Sequence, residues 1–265
     1  MKRHWTEQRS ALQNWLLMSP RILIGCDFDG TLAPIVAHAD DACLPASTLA
    51  VLQRLNSFPG VTLAFISGRS LADLQQQVGL PGALYAGNHG LEMTGQGDSV
   101  TLAPGVLESL PVMREVQNGL TPLLNPIQGA WIEDKGLTLS VHYRLADHTR
   151  HAEIEKLVRQ AVADDKSLIV KPAKCIWEIR PVIDCDKGTA LREFMQRQQV
   201  PASAAAFLGD DTTDGDAFRE LPDGWTFFVG DESDPDARLW VRDVQDCAAL
   251  LIWMAEVRAA AHVQR

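Results

Sequence analysis

The stretch Ile22-Leu23-Ile24-Gly25-Cys26-Asp27-Phe28-Asp29-Gly30-Thr31-Leu32 decides how the rest of the chain is read. Its apolar start, closed by a turn, predicts a buried strand. Strand alternation sends residues i and i+2 to the same side. Asp27 and Asp29 therefore face one point, just where the chain leaves the sheet. Like charges that close repel unless a cation or a shared proton offsets them. The stretch predicts a bound metal, a raised pKa, or both, unless it is an ordinary Asp-Gly turn.

The neighbouring segments decide between these. An apolar run at 61–66 ends in Ser67-Gly68-Arg69, and a shorter one at 84–86 ends in Gly87-Asn88-His89-Gly90. Another at 205–208 runs into Gly209-Asp210-Asp211-Thr212-Thr213-Asp214, and a last one spans 225–229. Helical patterns lie between them. One follows Ser47 as N-cap, with Leu49, Leu52 and Leu55 on one face. One runs over 71–78 behind Ser70 and Asp73, a spacing like a capping box. Others are expected at 188–199, 214–220 and 246–260, and residues 1–20 read as a short amphipathic helix. Strand, turn and helix in repetition predict a parallel sheet with crossover helices.

The texture changes in the middle. A hairpin is expected over 91–103 with Gly95-Gln96-Gly97 at its tip. There follow a helix (105–124), two strands (130–134, 137–143), a helix (148–164) and two more strands (167–171, 175–180). Strands in adjacent pairs imply antiparallel hairpins. The expected fold is α/β: a doubly wound, mostly parallel Rossmann-like core of residues 1–106 and 185–265, interrupted by an α+β cap at 107–184.

The 265 residues are 46% hydrophobic and 22% charged, with a formal net charge of −10. That balance suits a globular chain and argues against nucleic acid or an anionic membrane as partner. If the substrate is an anion, local cations must reverse the field. Five cysteines without a C-x-x-C pair suggest reduced thiols. The N-terminal stretch lacks the apolar core of a signal peptide, and nothing approaches a membrane span. A cytoplasmic monomer is expected.

Four groups fall at the carboxyl ends of expected core strands or at the start of the next helix: Asp27/Asp29, Ser67-Gly68-Arg69, Asp186-Lys187-Gly188 and Asp210–Asp214. Open α/β sheets bind ligands along that edge. Together they make a phosphoryl-transfer site. Asp27 is the expected nucleophile, forming an aspartyl-phosphate. Oxygens of Asp27 and Asp210 and the backbone carbonyl of Asp29 suit Mg²⁺. A phosphate monoester brings about −2, so with both acids, Lys187 and the metal the site carries roughly −1. Ser67 would donate to the phosphoryl group. Asp29 would protonate the leaving alkoxide and then activate water. Asp211 and Asp214 would orient Lys187 or metal-bound water. His89 either lines the same cleft or is a structural loop residue, and His148 and His151 read as surface.

These motifs resemble those of the haloacid-dehalogenase-like phosphohydrolases. Further stretches, Ala86-Gly87-Asn88-His89-Gly90-Leu91-Glu92, Glu133-Asp134-Lys135-Gly136, His142-Tyr143-Arg144 and Lys174 with Glu178-Ile179-Arg180-Pro181, are similar to the trehalose-6-phosphate phosphatases. The resemblance implies hydrolysis of trehalose 6-phosphate as the last step of trehalose synthesis. It implies phosphate contacts at Ser67, Gly68 and Lys187, and substrate contacts at Asp27, Phe28 and Asp29. Sugar contacts would come from Glu133, Arg144, Lys174 and Glu178 on a cap that closes over substrate. Gly215 stands where the family usually has an acid. Mannosyl-3-phosphoglycerate and sucrose phosphate are the competing substrates. A receiver-type domain is disfavoured by Asp29, which would speed loss of the phosphoryl group. A non-catalytic regulatory domain is disfavoured because Asp27, Asp29 and Lys187 are all present.

Overall fold

The computed structural model describes residues 3–36, 41–94, 99–230 and 236–263. The chain divides into two compact units, Met1–Thr101 with Cys185–Arg265, and Leu102–Asp184.

The larger unit is built on one sheet. Its strands are β1 (Arg3–His4), β2 (Ile22–Cys26), β3 (Val61–Ile66), β4 (Leu84–Gly87), β5 (Glu92–Thr94), β6 (Val100–Leu102), which straddles the unit boundary, and then β11 (Ala205–Gly209), β12 (Trp225–Val229) and β13 (Leu239–Val241). The order across the sheet is β1-β13-β12-β11-β2-β3-β4-β5-β6. The pairs from β1 through β4 in that order are parallel, and β5 turns back antiparallel on β4. The chain moves one way through β2, β3 and β4, then re-enters at β11 on the other side of β2 and moves the opposite way. The β2–β11 junction is therefore the topological switch point of the sheet, the place where α/β folds hold ligands.

Helices cover both faces. Ile22 and Ile24 of β2 join one core with Leu12 and Leu16 of α1 (Arg9–Met18), Leu52 and Leu55 of α2 (Ala46–Asn56), Leu74 of α3 (Leu71–Val78), and Leu250 and Leu251 of α8 (Val244–Val263). Leu23 points the other way, into a second core with Leu191 and Phe194 of α6 (Lys187–Gln198) and Phe218 of α7 (Asp214–Arg219). Every residue of β2 and β11 is buried, which explains their unbroken apolar runs. The doubly wound α/β expectation holds.

Three local expectations need correction. Residues 1–20 do not form one helix. Arg3 and His4 pair with β13, a 3₁₀ turn spans Trp5–Gln8, and α1 begins only at Arg9. His4 and Trp5 are drawn off by Asp246, whose carboxylate lies 2.6 Å from His4 Nε2 and accepts from Trp5 Nε1 at 3.1 Å. Ser47 does not cap α2, which starts at Ala46 behind Pro45 with no side-chain cap. Asp73 does not complete a capping box. Ser70 accepts from the Asp73 amide, but the Asp73 carboxylate turns to Arg69. The expected hairpin tip at Gly95-Gln96-Gly97 lies outside the described residues.

The smaller unit has helices α4 (Val106–Leu124) and α5 (His151–Ala161) and a four-stranded antiparallel sheet of β7 (Trp131–Asp134), β8 (Leu139–His142), β9 (Leu168–Ala173) and β10 (Ile176–Pro181), ordered β7-β8-β10-β9. Leu139, Val141 and Ile179 pack with Met113, Val116 and Leu120 of α4 and Ile154 and Val158 of α5. The alternate residues project from the other face, and the register sets four of them abreast: Glu133, Ser140, Glu178 and Lys171. Among the described residues no helix is long and apolar enough to cross a membrane, and the cysteines are free thiols.

Candidate active site

The ladder between β2 and β11 runs one bond past the strand, as Asp27 N–H donates to the Leu208 carbonyl at 2.9 Å. That bond fixes Asp27 at the switch point, beside Asp210 at the end of β11. The chain then turns sharply. The Phe28 carbonyl accepts from the amides of Leu32 and Ala33 at 2.9 and 3.0 Å, and Gly30 N–H donates to the Ala33 carbonyl at 2.7 Å. Gly30 sits at φ +84°, and a Cβ there would lie 2.1 Å from Asp210 Oδ2. Only glycine satisfies both the turn and the approach.

Lys187 opens α6 behind Asp186, whose side chain caps the helix by accepting from Thr189 N–H. From there Nζ donates to Asp27 Oδ1 at 2.8 Å and to Asp214 Oδ1 at 2.6 Å. Asp214 is held in turn by the Asp211 amide at 2.9 Å. The Asp211 carboxylate itself stays in the loop and accepts from Thr212 N–H. Donor oxygens of Asp27, Asp210 and Asp214 lie within 4.8 Å of one another, all buried. Burial pushes the Asp27 carboxyl well above the ordinary range against the pull of Lys187, and Asp214 and Asp210 push it further up. Burial would lower the Lys187 ammonium, but Asp214 and Asp27 outweigh it and hold it above its usual value. Asp27 and Asp214 thus share one fixed ammonium, with Asp210 close by. Three converging carboxylates are a hard-oxygen donor set that fits a divalent cation. An open cleft of about 280 Å³ reaches Asp210, walled by Pro34, Ile35 and Val229.

Asp29 takes a different partner. Arg69 grips its carboxylate at two points, Nε to Oδ2 at 2.6 Å and Nη2 to Oδ1 at 2.7 Å, while Nη1 reaches Asp73 at 2.6 Å. Burial alone would lower the guanidinium pKa, but Asp29 and Asp73 more than offset it. The guanidinium also lies 5.0 Å over the buried Phe28 ring. The sequence marks Arg69 only as part of a motif. Its spacing of four from Asp73 was visible, whereas its reach to Asp29, 40 residues away, is a product of the fold.

Ser67 is buried, and its hydroxyl accepts from Arg69 N–H at 3.3 Å. Gly68 follows with His89 pressed against it: a Cβ at Gly68 would lie 2.6 Å from the His89 Nε2. His89 has φ +58°, and its N–H donates to the Ser67 carbonyl at 2.9 Å. The 67–69 and 88–89 loops are thus laced together, which fixes the backbone amides of 67–69.

In the smaller unit, Glu133 and Glu178 stand in one row on either side of Ser140. Glu133 Oε2 lies 2.7 Å from His142 Nε2, and the His142 ring stacks on Trp131 at 4.6 Å. Glu178 accepts from Arg180 Nε at 2.6 Å and lies 3.7 Å from Lys135 Nζ. Lys135 and Arg180 were not singled out from sequence. Arg144 and Lys174 belong to the end of the sheet, where Arg144 Nη2 donates to the Lys174 carbonyl at 2.9 Å. His148 and His151 contact each other by their rings only, 6.1 Å apart.

The trehalose-phosphatase family model matches residues 26–227, from the start of the Asp27 motif into β12. The chain belongs to this family. A trehalose-phosphate phosphatase of Mycobacterium marinum is 37% identical over 242 residues, 88% of this chain and 61% of the relative. One of Mycobacterium tuberculosis is 37% identical over 216 residues, covering 79% and 54%. The chain thus spans somewhat over half the length of the curated relatives it matches. Among solved structures, the C-terminal domain of a Candida albicans trehalose-6-phosphate phosphatase is 22% identical with a TM-score of 0.84, covering 97% of this chain and 98% of that one. An Aspergillus fumigatus trehalose-6-phosphate phosphatase is 27% identical with a TM-score of 0.62, covering 95% and 97%. These trehalose-phosphatase structures carry the same fold.

Proposed function

We propose that this protein hydrolyses trehalose 6-phosphate to trehalose and phosphate, the last step of trehalose synthesis, acting as a monomer in the cytoplasm. One observation carries the reading. The buried Lys187 ammonium is bracketed by Asp27 and Asp214, with Asp210 alongside, at the sheet's switch point.

In this reading an Asp27 oxygen attacks phosphorus and the bond to the sugar oxygen breaks, leaving an aspartyl-phosphate. Lys187 stays charged throughout, because two carboxylates hold its protons, and it offsets the charge that gathers on the phosphoryl oxygens. Ser67 and the Gly68 amide grip those oxygens. Asp29 hands a proton to the departing sugar oxygen and then draws one from the water that frees phosphate and restores Asp27. To do so its side chain must let go of Arg69, so Arg69 sets when Asp29 is free to act. Asp27, Asp210 and the Asp29 carbonyl would hold Mg²⁺, which when bound neutralises the transferring group. Asp214 orients Lys187. Glu133, Arg144, Lys174 and Glu178 hold the sugar hydroxyls, charged groups being strong hydrogen-bond partners.

The substrate assignment is supported by the family match and by the names of the relatives. It is tested by measuring released phosphate from trehalose 6-phosphate, sucrose phosphate and mannosyl-3-phosphoglycerate, with Mg²⁺ and with a chelator. Trehalose 6-phosphate is expected to react fastest, and only with the metal. Equal rates on all three esters refute the substrate, and full activity under chelation refutes the metal.

A further inference from the structure

Ser140 is an anomaly in the smaller unit. It is fully buried, and its hydroxyl has no hydrogen-bond partner among the described residues. A buried hydroxyl left unpaired costs stability, so it calls for a reason.

The register supplies one. Ser140 pairs with Glu133 on one side and Glu178 on the other. Directly opposed residues of antiparallel strands share a face, and Leu139 and Val141 on either side of Ser140 point into the apolar core. The serine hydroxyl therefore rises between two carboxylates, on the face away from α4 and α5. Both carboxylates already have other donors. Glu133 is drawn to His142, and Glu178 to Arg180 and Lys135. A serine beside two acids would ordinarily donate to one of them, but here each acid is turned towards a stronger, charged or ring donor.

A serine hydroxyl offers one donor and two acceptor positions. A ligand hydroxyl that bridges Glu133 and Glu178 would sit over Ser140 and complete it. The path is short, because Glu133 belongs to the edge strand β7 and its side chain is 32% exposed. Turning that carboxylate to meet a ligand uncovers the serine. We propose that Ser140 is a specificity-determining residue, exchanging a hydrogen bond with a hydroxyl of the sugar held between Glu133 and Glu178. This rests on the sugar-phosphate reading given above.

The test is Ser140→Ala in the full chain with Mg²⁺. It reads KM and kcat on trehalose 6-phosphate, the rate on p-nitrophenyl phosphate, and the melting temperature with and without free trehalose. The expected result is a KM raised about tenfold, the worth of one hydrogen bond. The rate on the sugar-free ester stays unchanged. The melting temperature without sugar is equal or higher, since an unpaired polar group has been removed, and the stabilisation by trehalose shrinks. A serine with a merely structural role gives the opposite sign, a lower melting temperature with KM unchanged, and that overturns the proposal. Should the wild type prefer another disaccharide phosphate, the same KM rise on that ester sustains Ser140 while overturning trehalose. An unchanged KM on whichever ester the wild type prefers overturns Ser140 and leaves the reaction standing.

Discussion

The two units each bury a three-membered charge centre, and the two centres have opposite sign. In the larger unit one cation, Lys187, stands between two acids, Asp27 and Asp214, with side chains 3%, 6% and 0% exposed. In the smaller unit one acid, Glu178, faces two cations, Arg180 and Lys135, at 5%, 8% and 12%. The first, with Asp210 added, is short of positive charge and suits a metal with a phosphoryl group. The second has more cation than acid, so Glu178 needs no added metal and can offer lone pairs to neutral hydroxyls. Burial is much the same in both. In the function proposed above, the sign of the leftover charge is what separates the reacting site from the gripping one.

That contrast can be broken at the core first. Asp27→Asn is expected to lower turnover at least a thousandfold while keeping the native far-UV circular dichroism. Activity near that of the wild type would remove the nucleophile and leave the cluster a structural ion pair. Next in size, Lys187→Met leaves Asp27, Asp210 and Asp214 buried without their ammonium. We expect a loss of about 3–5 kcal/mol in urea unfolding, partly recovered when Mg²⁺ is added. A variant as stable as the wild type would show that the acids are neutral in the folded protein.

The smaller unit should respond in binding and not in chemistry. Glu178→Gln keeps an acceptor for Arg180, so the fold should survive, while KM for trehalose 6-phosphate rises about 10- to 100-fold. The rate on p-nitrophenyl phosphate should be unchanged, and a parallel fall on both esters would place Glu178 in the chemistry. The smallest effect is a pH slope. Burial holds the Asp27 carboxyl above its ordinary value of 3.8, so the folded state binds that proton more tightly than the unfolded chain. The stability this gives is complete below 3.8 and is lost as pH climbs through the raised folded value. Without divalent metal, the wild type should therefore lose ground to Asp27→Asn as pH rises, by about 1.4 kcal/mol for each tenfold difference in proton affinity. Parallel stability curves would mean that the pull of Lys187 cancels the effect of burial.

The sequence was most legible where local pattern and fold agree. β2 and β11 are central strands buried on both faces, so their apolar runs announced them, and the acids that follow fell where such strands must end. Lys187 was legible because it opens a helix at the same edge. The edge strand β1 and its neighbour β13, of two and three residues, had too little length for a period to register. Ser47 misled because its side chain suits a cap, whereas Pro45 with its fixed φ occupies the N-cap position and the helix starts at Ala46. Arg69 on Asp29 and Lys135 on Glu178 are side-chain choices made only after the backbone has brought distant segments together, and Arg180 on Glu178 is one of several partners open to an acid two residues along the same strand. The inserted pairs of strands could be read as hairpins, but not which charged residue would face which.

Gly30 and Asp210 come from opposite ends of the chain, yet the space for one is the space denied to the other. Neither position can drift alone: a methyl group at 30 evicts the carboxylate, and a longer acid at 210 collides with the turn. A genetic screen that starts from Gly30→Ala should recover function only through second changes that shorten or displace residue 210, so these two sites are bound to evolve as a linked pair.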